Sequence, residues 1–340
     1  MTTSPFTLEP GLLDRLSEPD FSASRHADLV ARAWRSLSDG ARTLVGVSGG
    51  ADSLALLLSL RRVSDGLVAV YIRHDQRPRE ETDRELDVVR RVASELGITF
   101  DSCEISAGDG NIESSFRNER YRALSELGER HECPFVATGH HADDQLETII
   151  HALIRGAGVS GLGGMQASRP IDDRRMLIRP MLEITHDDAC EICRCAAIGW
   201  FEDPTNEHLD RTRARLRSRV MPVLRSLNPS ASLNASRSAA QLREAARALE
   251  TVASEALRDA TRWDRDHLAS LPDAVLTTAL RRRILVATGG AHADTLSWAR
   301  LNDVVRAVRD QKDHLRSFHF AGDITIEVHA HRVEFVAPTI

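Results

Sequence analysis

The sequence predicts an α/β fold, a doubly wound parallel sheet followed by a mainly helical second region with a small terminal hairpin. Three observations predict it. Apolar runs of strand length alternate with helix-length stretches over the first half of the chain. A glycine-containing turn joins the first strand to a Leu-rich helix. Past about residue 208 the chain is rich in Ala and Arg in a helical pattern. Such alternation is typical of a parallel sheet with helices on both faces.

The predicted elements follow in chain order. The first helix is expected at residues 22–39, and strands are expected at 43–48, 67–72, 98–105, 135–138 and 176–180. Helices are expected between them at 53–62, 80–96, 112–131 and 142–154. Residues 156–164 are glycine-rich and predict a flexible loop, and 324–328 with 333–336 predict the hairpin. We therefore expect a loose extension (1–21), an α/β domain (22–207) and a mainly helical domain (208–340).

The composition excludes several classes of protein. A net charge of −6 over 340 residues argues against nucleic-acid binding across the whole surface. We find no apolar run of membrane-spanning length and no secretory signal, and five cysteines suit no disulfide framework. Cys190 and Cys193 lie in a helix-like stretch without a second pair, so no zinc site is expected. We expect a cytoplasmic protein with no membrane partner; a homodimer is compatible with the sequence, which leaves the oligomeric state open.

The most informative motif is the turn after the first strand, called the glycine loop below, Ser48-Gly49-Gly50-Ala51-Asp52-Ser53. A glycine turn that leads into a helix directs backbone N–H groups at a phosphate or pyrophosphate. Ser48 and Ser53 can add hydroxyl donors, whereas Asp52 can orient the loop, hold a metal ion or face another part of a substrate. A P-loop would carry a Lys before its Ser/Thr, but the only Lys of the chain is Lys312. A kinase or GTPase is therefore not expected.

A second cluster of reactive side chains follows the fourth predicted strand, in Gly139-His140-His141-Ala142-Asp143-Asp144-Gln145-Leu146-Glu147. On a helix His140, Asp144 and Glu147 share one face. They can hold Mg²⁺, orient an amine or move a proton. Helix capping is the simpler interpretation of Asp143 and Asp144. Because capping explains neither the two His nor Glu147, we expect a catalytic cluster near the glycine loop.

A third pattern is a run of arginines without acids over residues 211–225. It predicts a surface for phosphates, since exposed helix faces usually mix charges of both signs. On an α-helix Arg213 and Arg217 would share one face, and Arg215 and Arg219 another. One of the two pairs is therefore expected to face the RNA or the active site.

The glycine loop resembles the signature of the PP-loop family, the N-type ATP pyrophosphatases, which split ATP into AMP and pyrophosphate. Over about residues 40–230, further motifs resemble those of tRNA(Ile)-lysidine synthetases. They are His140 to Thr148, Leu153 to Met165, Arg179-Pro180-Met181-Leu182, Trp200 to Asn206, Arg117 with Arg120-Tyr121, and Arg213, Arg217 and Arg219 with Pro222. His74-Asp75-Gln76-Arg77 and Ala214 depart from the pattern.

The resemblance implies ATP-dependent ligation of L-lysine to C2 of the wobble cytidine of a tRNA(Ile) with a CAU anticodon, through an adenylated base. The residues it implies are listed by role: for catalysis Asp52, Arg117, His140, Asp144 and Glu147; for ATP the glycine loop; and for tRNA Arg213, Arg217 and Arg219, with the Arg213 and Arg217 face preferred. Mg²⁺ would come with ATP, with Asp52 and Asp144 as candidate ligands, and neither zinc nor an iron–sulfur cluster is expected. The separate roles of His140, Asp144 and Glu147 stay open.

Other readings of the motifs are another PP-loop enzyme, such as a tRNA thiolase, or a nucleotide- or RNA-binding module without activity. A thiolase that uses cysteines would need them near the ATP site, whereas Cys190 and Cys193 belong to a later helix. An inactive module would be expected to lose Asp52, Asp144 or the loop glycines, all of which are present. ATP–pyrophosphate exchange that depends on tRNA and lysine would separate these classes.

Overall fold

The structure is a computed structural model that describes residues 6, 8–18, 21, 24–74, 78–106, 112–201, 212–257, 261–289, 296–310 and 314–337. The chain divides into two compact units, residues 1–151 with 164–238 and residues 152–163 with 239–340. The expected domain border between residues 207 and 208 lies outside the described residues. The roles given to the two expected domains therefore stay predictions.

A six-stranded sheet forms the centre of the first unit. Its strands are β1 (Thr43–Gly46), β2 (Leu67–His74), β3 (Thr99–Ile105), β4 (Phe135–Ala137), β5 (Ser168–Pro170) and β6 (Met176–Ile178). They lie in the order β3-β2-β1-β4-β6-β5, all parallel except the edge strand β5. The strand order reverses between β1 and β4. The segments that follow these two strands therefore border the crevice where ligands bind in such sheets.

The helices of this unit confirm the expected alternation. They are α1 (Leu12–Arg15), α2 (Arg25–Ser38), α3 (Ala51–Arg61), α4 (Arg79–Glu95), α5 (Ile112–Arg130), α6 (Ala142–Ile154) and α8 (His186–Cys195), with α7 (Val159–Leu162) in the other unit. After residue 211 come α9 (Thr212–Arg215), a π-helical turn (Leu216–Val220), α10 (Met221–Leu227) and α11 (Ala231–Leu257). Helix α3 packs against α2 and α8 and is apolar on all sides, with its leucines fully buried. A helix buried all round holds the turn before it in a fixed place.

The N-terminal segment differs from the expected loose extension. Leu12, Leu16 and Phe21 are buried and belong to the main core cluster of the first unit. The side chain of Arg15 donates a hydrogen bond from Nε to the carbonyl of Ala196, at 3.0 Å. The Pro and Gly residues of this segment predict a loose chain. Burial of the apolar side chains between them stabilises the segment by more than its ordering costs in conformational entropy.

The second unit contains a four-stranded antiparallel sheet in the order β7-β10-β9-β8. Its strands are β7 (Arg262–Asp264), β8 (Arg316–Phe320), β9 (Ile324–Val328) and β10 (Arg332–Val336), and its further helices are α12 (Arg265–Ser270), α13 (Asp273–Ala287) and α14 (Trp298–Arg309). The expected hairpin is β9 with β10, and β7 and β8 extend it. The glycine-rich segment expected to be a loop contains helix α7. Among the described helices, none combines the length and apolarity needed to cross a membrane.

Candidate active site

The glycine loop lies between β1 and α3 at the reversal of strand order. Gly49 has φ +85°, and a Cβ there would come within 3.2 Å of the Phe201 ring. The Phe201 N–H donates to the Gly49 carbonyl at 3.0 Å, which fixes the turn from outside. Gly50 is the N-cap of α3 and offers no side chain to the first N–H groups of the helix. These N–H groups are thus suited to an anionic ligand.

The Ser53 hydroxyl closes the glycine loop from within. It accepts a hydrogen bond from the Ser48 N–H at 3.1 Å and donates one to the Gly50 carbonyl at 3.0 Å. The Ser48 hydroxyl lies 3.2 Å from it. Ser53 is buried and Ser48 is exposed. Ser53 therefore shapes the loop, whereas Ser48 presents its hydroxyl to a ligand.

Asp52, at the start of α3, lies between two imidazoles. Its Oδ1 is 2.8 Å from His186 Nδ1, and its Oδ2 is 3.5 Å from His141 Nε2. Burial alone would raise the pKa of Asp52, but the hydrogen bonds and charges of His141 and His186 hold this pKa well below its usual value. The hydrogen bond to Asp52 in turn raises the pKa of His186 to about 10. At neutral pH these groups are an aspartate and an imidazolium.

His141 lies at the centre of three carboxylates. Its Nε2 is 3.5 Å from Oδ2 of both Asp52 and Asp144, and its Nδ1 is 3.4 Å from Asp143 Oδ2. Burial would lower the pKa of His141, but the carboxylates, above all Asp144, raise it well above the usual value. The Asp143 N–H also lies 3.2 Å from Nδ1. Because the Asp143 N–H donates to it, Nδ1 is an acceptor, and the proton on Nε2 faces the carboxylates of Asp52 and Asp144.

Asp143 connects helices of the first unit and is buried. Its Oδ1 accepts hydrogen bonds from Arg225 Nη2 at 2.7 Å and from the Ser232 hydroxyl at 2.6 Å. Its Oδ2 accepts one from the His186 N–H at 2.8 Å. Burial would raise the pKa of Asp143, but these hydrogen bonds and the contact with His141 lower it strongly. The role of Asp143 is to hold His141 and the start of α8 in place.

Asp144 and Glu147 share one arginine. Arg217 contacts Glu147 through Nε at 2.7 Å and Nη2 at 3.0 Å, and its Nη2 also lies 3.3 Å from Asp144 Oδ1. Asp144 Oδ2 accepts the His141 backbone N–H at 3.1 Å, so Asp144 does cap the helix. Asp144 thus caps the helix through Oδ2 and pairs with Arg217 through Oδ1. Arg217 lies in this cluster because Leu216–Val220 is a π-helical turn, for which the α-helical spacing of the arginines does not hold.

The pKa of His140 differs from that of its neighbour. Its Nδ1 lies 2.9 Å from the Thr138 hydroxyl. Burial lowers the pKa of His140 to about 4, against the opposing effect of the Asp144 charge. His140 is therefore a neutral imidazole at physiological pH. Burial lowers the pKa of both rings, and the pKa values of the two adjacent histidines differ because nearby carboxylates outweigh this effect only for His141.

The two signature segments touch. A Cβ on Gly139 would lie 3.0 Å from the backbone C and O atoms of Asp52, so only glycine permits this approach. Behind it, the Gln145 side chain donates to the Met165 carbonyl at 3.0 Å and accepts from the Met165 N–H at 2.6 Å. The expected neighbourhood of the glycine loop and the His/Asp cluster is present in the structure.

The contacts described for the cluster do not include the other predicted site residues. Arg213 and Arg219 are exposed, like Arg215. Arg117 lies in α5, but its side chain is outside the described part of the structure. The residues missed were His186, Arg225 and Ser232; a signal for His186 was the pair Thr185 and Asp188, whose capping box fixes the start of α8 after β6.

Both helix cysteines are buried, as expected, and both lie near the site. Cys193 Sγ donates to the Ala51 carbonyl at 3.4 Å. Cys190 Sγ lies 3.6 Å from His186 Nε2. Burial raises the pKa of the Cys193 thiol strongly. Cys193 therefore supports the glycine loop as a neutral thiol.

Comparisons with known proteins agree with this geometry. The PP-loop domain family matches residues 22–224 and defines the class. A tRNA(Ile)-lysidine synthase of Nostoc is 33% identical, over 76% of this chain and 78% of its own length. The tRNA(Ile)-lysidine synthase of Geobacillus kaustophilus is 37% identical over 73% of this chain. The match covers 56% of the Geobacillus protein, so this chain spans little more than half the length of that relative. The chain belongs to the tRNA(Ile)-lysidine synthase family.

A solved structure with a similar fold is the U34-tRNA thiolase NcsA from Methanococcus maripaludis with its [4Fe-4S] cluster. The TM-score is 0.53 at 18% identity, over 64% of this chain and 78% of the other. At this identity the likeness concerns the fold alone.

Proposed function

We propose that this chain ligates L-lysine to C2 of the wobble cytidine of tRNA(Ile) with a CAU anticodon, and that it consumes ATP to AMP and pyrophosphate. The observation that carries the proposal is the junction of the glycine loop with the His/Asp/Glu cluster. Asp52 Oδ2 lies 3.5 Å from His141 Nε2, and Gly139 allows the two backbones to touch. A phosphate site and an acid–base cluster thus share one crevice.

In the first step, the C2 carbonyl oxygen of the cytidine attacks the α-phosphate of ATP, and pyrophosphate leaves. The N–H groups at the start of α3 and the exposed Ser48 hydroxyl bind the departing pyrophosphate. The carboxylate beside these donors is Asp52, whose side chain is 32% exposed. It could serve as one ligand of a Mg²⁺ ion that takes its other ligands from ATP and water. Asp144 fits less well because Arg217 and the His141 N–H occupy its oxygens. Bound with ATP, Mg²⁺ would stabilise the negative charge of the leaving group.

In the second step, the ε-nitrogen of lysine attacks C2 of the adenylated base, a C–N bond forms, and AMP leaves. We assign Asp144 and Arg217 to lysine: its carboxylate would pair with Arg217 and its α-ammonium with Asp144, in place of the 3.3 Å contact between these two side chains, while Glu147 keeps its salt bridge to Arg217. The ε-amine attacks in its neutral form, so its first proton leaves to solvent before the attack, and we assign His140 as the acceptor of the second proton, which the nitrogen loses once its bond to C2 has formed. The low pKa of His140 suffices, since the attacking nitrogen becomes strongly acidic once its bond to carbon forms.

The tRNA would contact the exposed Arg213 and Arg219, and the second unit would contribute further contacts. Such a substrate implies a cytoplasmic location, and homodimerisation stays a prediction. The buried, protonated state of Cys193 disfavours sulfur transfer, which needs a thiolate or a metal-bound sulfur. We therefore expect neither zinc nor an iron–sulfur cluster to take part in the reaction.

The test is incorporation of labelled lysine into RNA. The chain is incubated with ATP, lysine and a tRNA(Ile) transcript with the CAU anticodon. The control transcript carries uridine at the wobble position and is otherwise identical. Label in the first transcript alone would support the proposal. Label in both or in neither, with ATP and Mg²⁺ saturating, would contradict it.

A further inference from the structure

Three side chains of the site converge on one point. A carboxylate oxygen of Asp52 and one ring nitrogen each of His141 and His186 lie within 4.8 Å of one another. They come from three different parts of the first unit, namely the start of α3, the residue before α6 and the start of α8. The proposed ligation needs Asp52 but assigns no reaction step to His186. This leaves the convergence of two imidazoles on one carboxylate without a role.

We propose that Asp52, His141 and His186 bind one transition-metal ion, of the type of Zn²⁺ or Co²⁺, when no nucleotide is present. Two imidazoles and one carboxylate are the donor set of zinc and its neighbours, whereas Mg²⁺ prefers oxygen ligands alone. Three protein ligands would leave a position for water. The site is thus distinct in chemistry from the Mg²⁺ that accompanies ATP.

One ligand atom of each residue lies within 4.8 Å of the other two, so the three side chains must close by at most about 1.5 Å around an ion. Tetrahedral bonds of about 2.0–2.1 Å place neighbouring ligand atoms about 3.3 Å apart. Asp52 Oδ2 and His141 Nε2 are already 3.5 Å apart. Asp52 Oδ1 and His186 Nδ1 are 2.8 Å apart, the length of a hydrogen bond. The ion replaces the proton between them, and the pair widens by about half an ångström to match the zinc geometry.

The surroundings orient both histidines toward this point. Asp143 Oδ2 lies 3.4 Å from His141 Nδ1, the ring nitrogen that faces away from Asp52, and it accepts the His186 backbone N–H at 2.8 Å. A carboxylate behind a metal-binding imidazole fixes the ring and increases its basicity. Asp144 Oδ2, 3.5 Å from His141 Nε2, adds negative charge beside the ion. Asp143 and Asp144 therefore place negative charge next to His141, which favours a bound cation.

A consequence rests on the proposed function. An ion at this site would occupy Asp52, the carboxylate that we assign to the Mg²⁺ of ATP. Binding of Zn²⁺ and binding of MgATP would then exclude each other. Free transition metals would inhibit the enzyme by this competition.

The test is a titration of the full chain with Co²⁺, after treatment with a chelator and without nucleotide. Visible absorption and bound metal per chain are measured. We expect one Co²⁺ with the intense bands of a low-coordinate ion, and at least tenfold weaker binding in His186→Gln. The matched control is His26→Gln, because His26 belongs to another cluster with carboxylates, Asp188 and Glu191, and should leave the bands unchanged.

Absence of a Co²⁺ complex, or a complex that persists in His186→Gln, would overturn the site. Asp52→Asn gives the same readout from another helix should His186→Gln fail to fold. MgATP is then added as a separate measurement, with the free Co²⁺ concentration held constant because ATP itself binds Co²⁺. Loss of the bands supports the shared use of Asp52, whereas bands that persist refute the competition and leave the metal site standing.

Discussion

Arg217 and Glu147 form a two-point salt bridge, with Nε 2.7 Å from one carboxylate oxygen and Nη2 3.0 Å from the other. Glu147 is 5% exposed, whereas the side chain of Arg217 is 46% exposed. The pair thus joins the interior of the cluster to its surface. Like Arg225, which contacts Asp143, Arg217 has a charge that is already compensated by acids, whereas the described contacts show no ion pair for Arg213, Arg215 or Arg219.

Neutralising Arg217 should therefore affect catalysis more than tRNA affinity. We expect Arg217→Ala to lower the ligation rate on the order of 10²-fold, because Glu147 and Asp144 lose the group that orients them. The slope of log Kd for tRNA against log salt should stay nearly unchanged. Of the two expected roles for the Arg213 and Arg217 face, RNA binding or the active site, the contacts of Arg217 with the acids favour the second for this residue, and RNA binding by Arg213 stays a prediction.

The converse variant is Arg213→Ala with Arg219→Ala, at two exposed positions. We expect weaker tRNA binding and a salt slope reduced by roughly one for each lost phosphate contact. Arg215→Ala is the matched control from the same stretch and should change the slope least. A salt slope that falls in Arg217→Ala but not in the double variant would contradict the assignment.

Ser53→Ala should impair ATP use, because the Ser53 hydroxyl closes the glycine loop through Ser48 and Gly50. We expect a higher KM for ATP and slower AMP release. The control is Ser59→Ala in the same helix, where a buried hydroxyl donates to the Ala55 carbonyl at 2.7 Å. Each variant should lose about 1 kcal/mol of unfolding free energy. Equal ATP kinetics in both variants would show that loop closure does not matter.

Gly164→Ala should destabilise the fold more than Gly156→Ala. Both glycines have positive φ, +61° and +71°, so both variants carry backbone strain of about 1 kcal/mol or more. A Cβ on Gly164 would also lie 2.5 Å from Gln145 Oε1, whereas none of the described atoms lies within 4 Å of one on Gly156. We expect an extra loss on the order of 1–3 kcal/mol, measured by denaturant unfolding. Similar losses of unfolding free energy in the two variants would mean that the Gln145 side chain moves away from the added Cβ at little cost.

The free energy of unfolding should fall as the pH is lowered from 6.5 to 4, in part because of His140. Burial lowers the folded pKa of His140 to about 4, from the ordinary 6.5 of the unfolded chain. Within this window the unfolded state binds a proton that the folded state does not, so acid favours unfolding. His140→Gln should flatten this dependence. His186→Gln should not, because the raised pKa of His186 acts above pH 6.5, where it lowers stability as the pH rises toward 10. The comparison is made with a chelator present, and a wild-type slope in His140→Gln would refute the neutral imidazole.

The order of strands and helices around the glycine loop could be predicted because each element carries its own local pattern. The apolar runs of β1, β2 and β4 and the Leu-rich α3 are continuous signals, which burial on all sides explains directly. The edge strand β5 was missed because its three residues, Ser168–Pro170, show no apolar alternation. A short polar edge strand forms because a neighbouring strand pairs with it, and its residues show no pattern that would predict a strand.

The two motifs of the site could be predicted from the sequence, but the contacts that join them to other parts of the chain could not. These motifs contain Asp52, His140, Asp144 and Glu147, and their residue types indicate the chemistry. His186 is distant from them in sequence, and its contact with Asp52 depends on how α8 packs beside α3. The partner of Glu147 was missed for a different reason, since a π-helical turn changes which side chains share a face. Such a turn is set by packing and not by residue type.

The most direct measurement counts products in one reaction. The chain, ATP, Mg²⁺, lysine and the CAU transcript are incubated, and AMP, ADP and lysine bound to RNA are quantified together. The account predicts one AMP for each lysine incorporated, no ADP, and neither product when the transcript is omitted or Asp52→Asn replaces the wild type. Release of ADP, or of AMP without the transcript, would contradict adenylation of the tRNA base at this site.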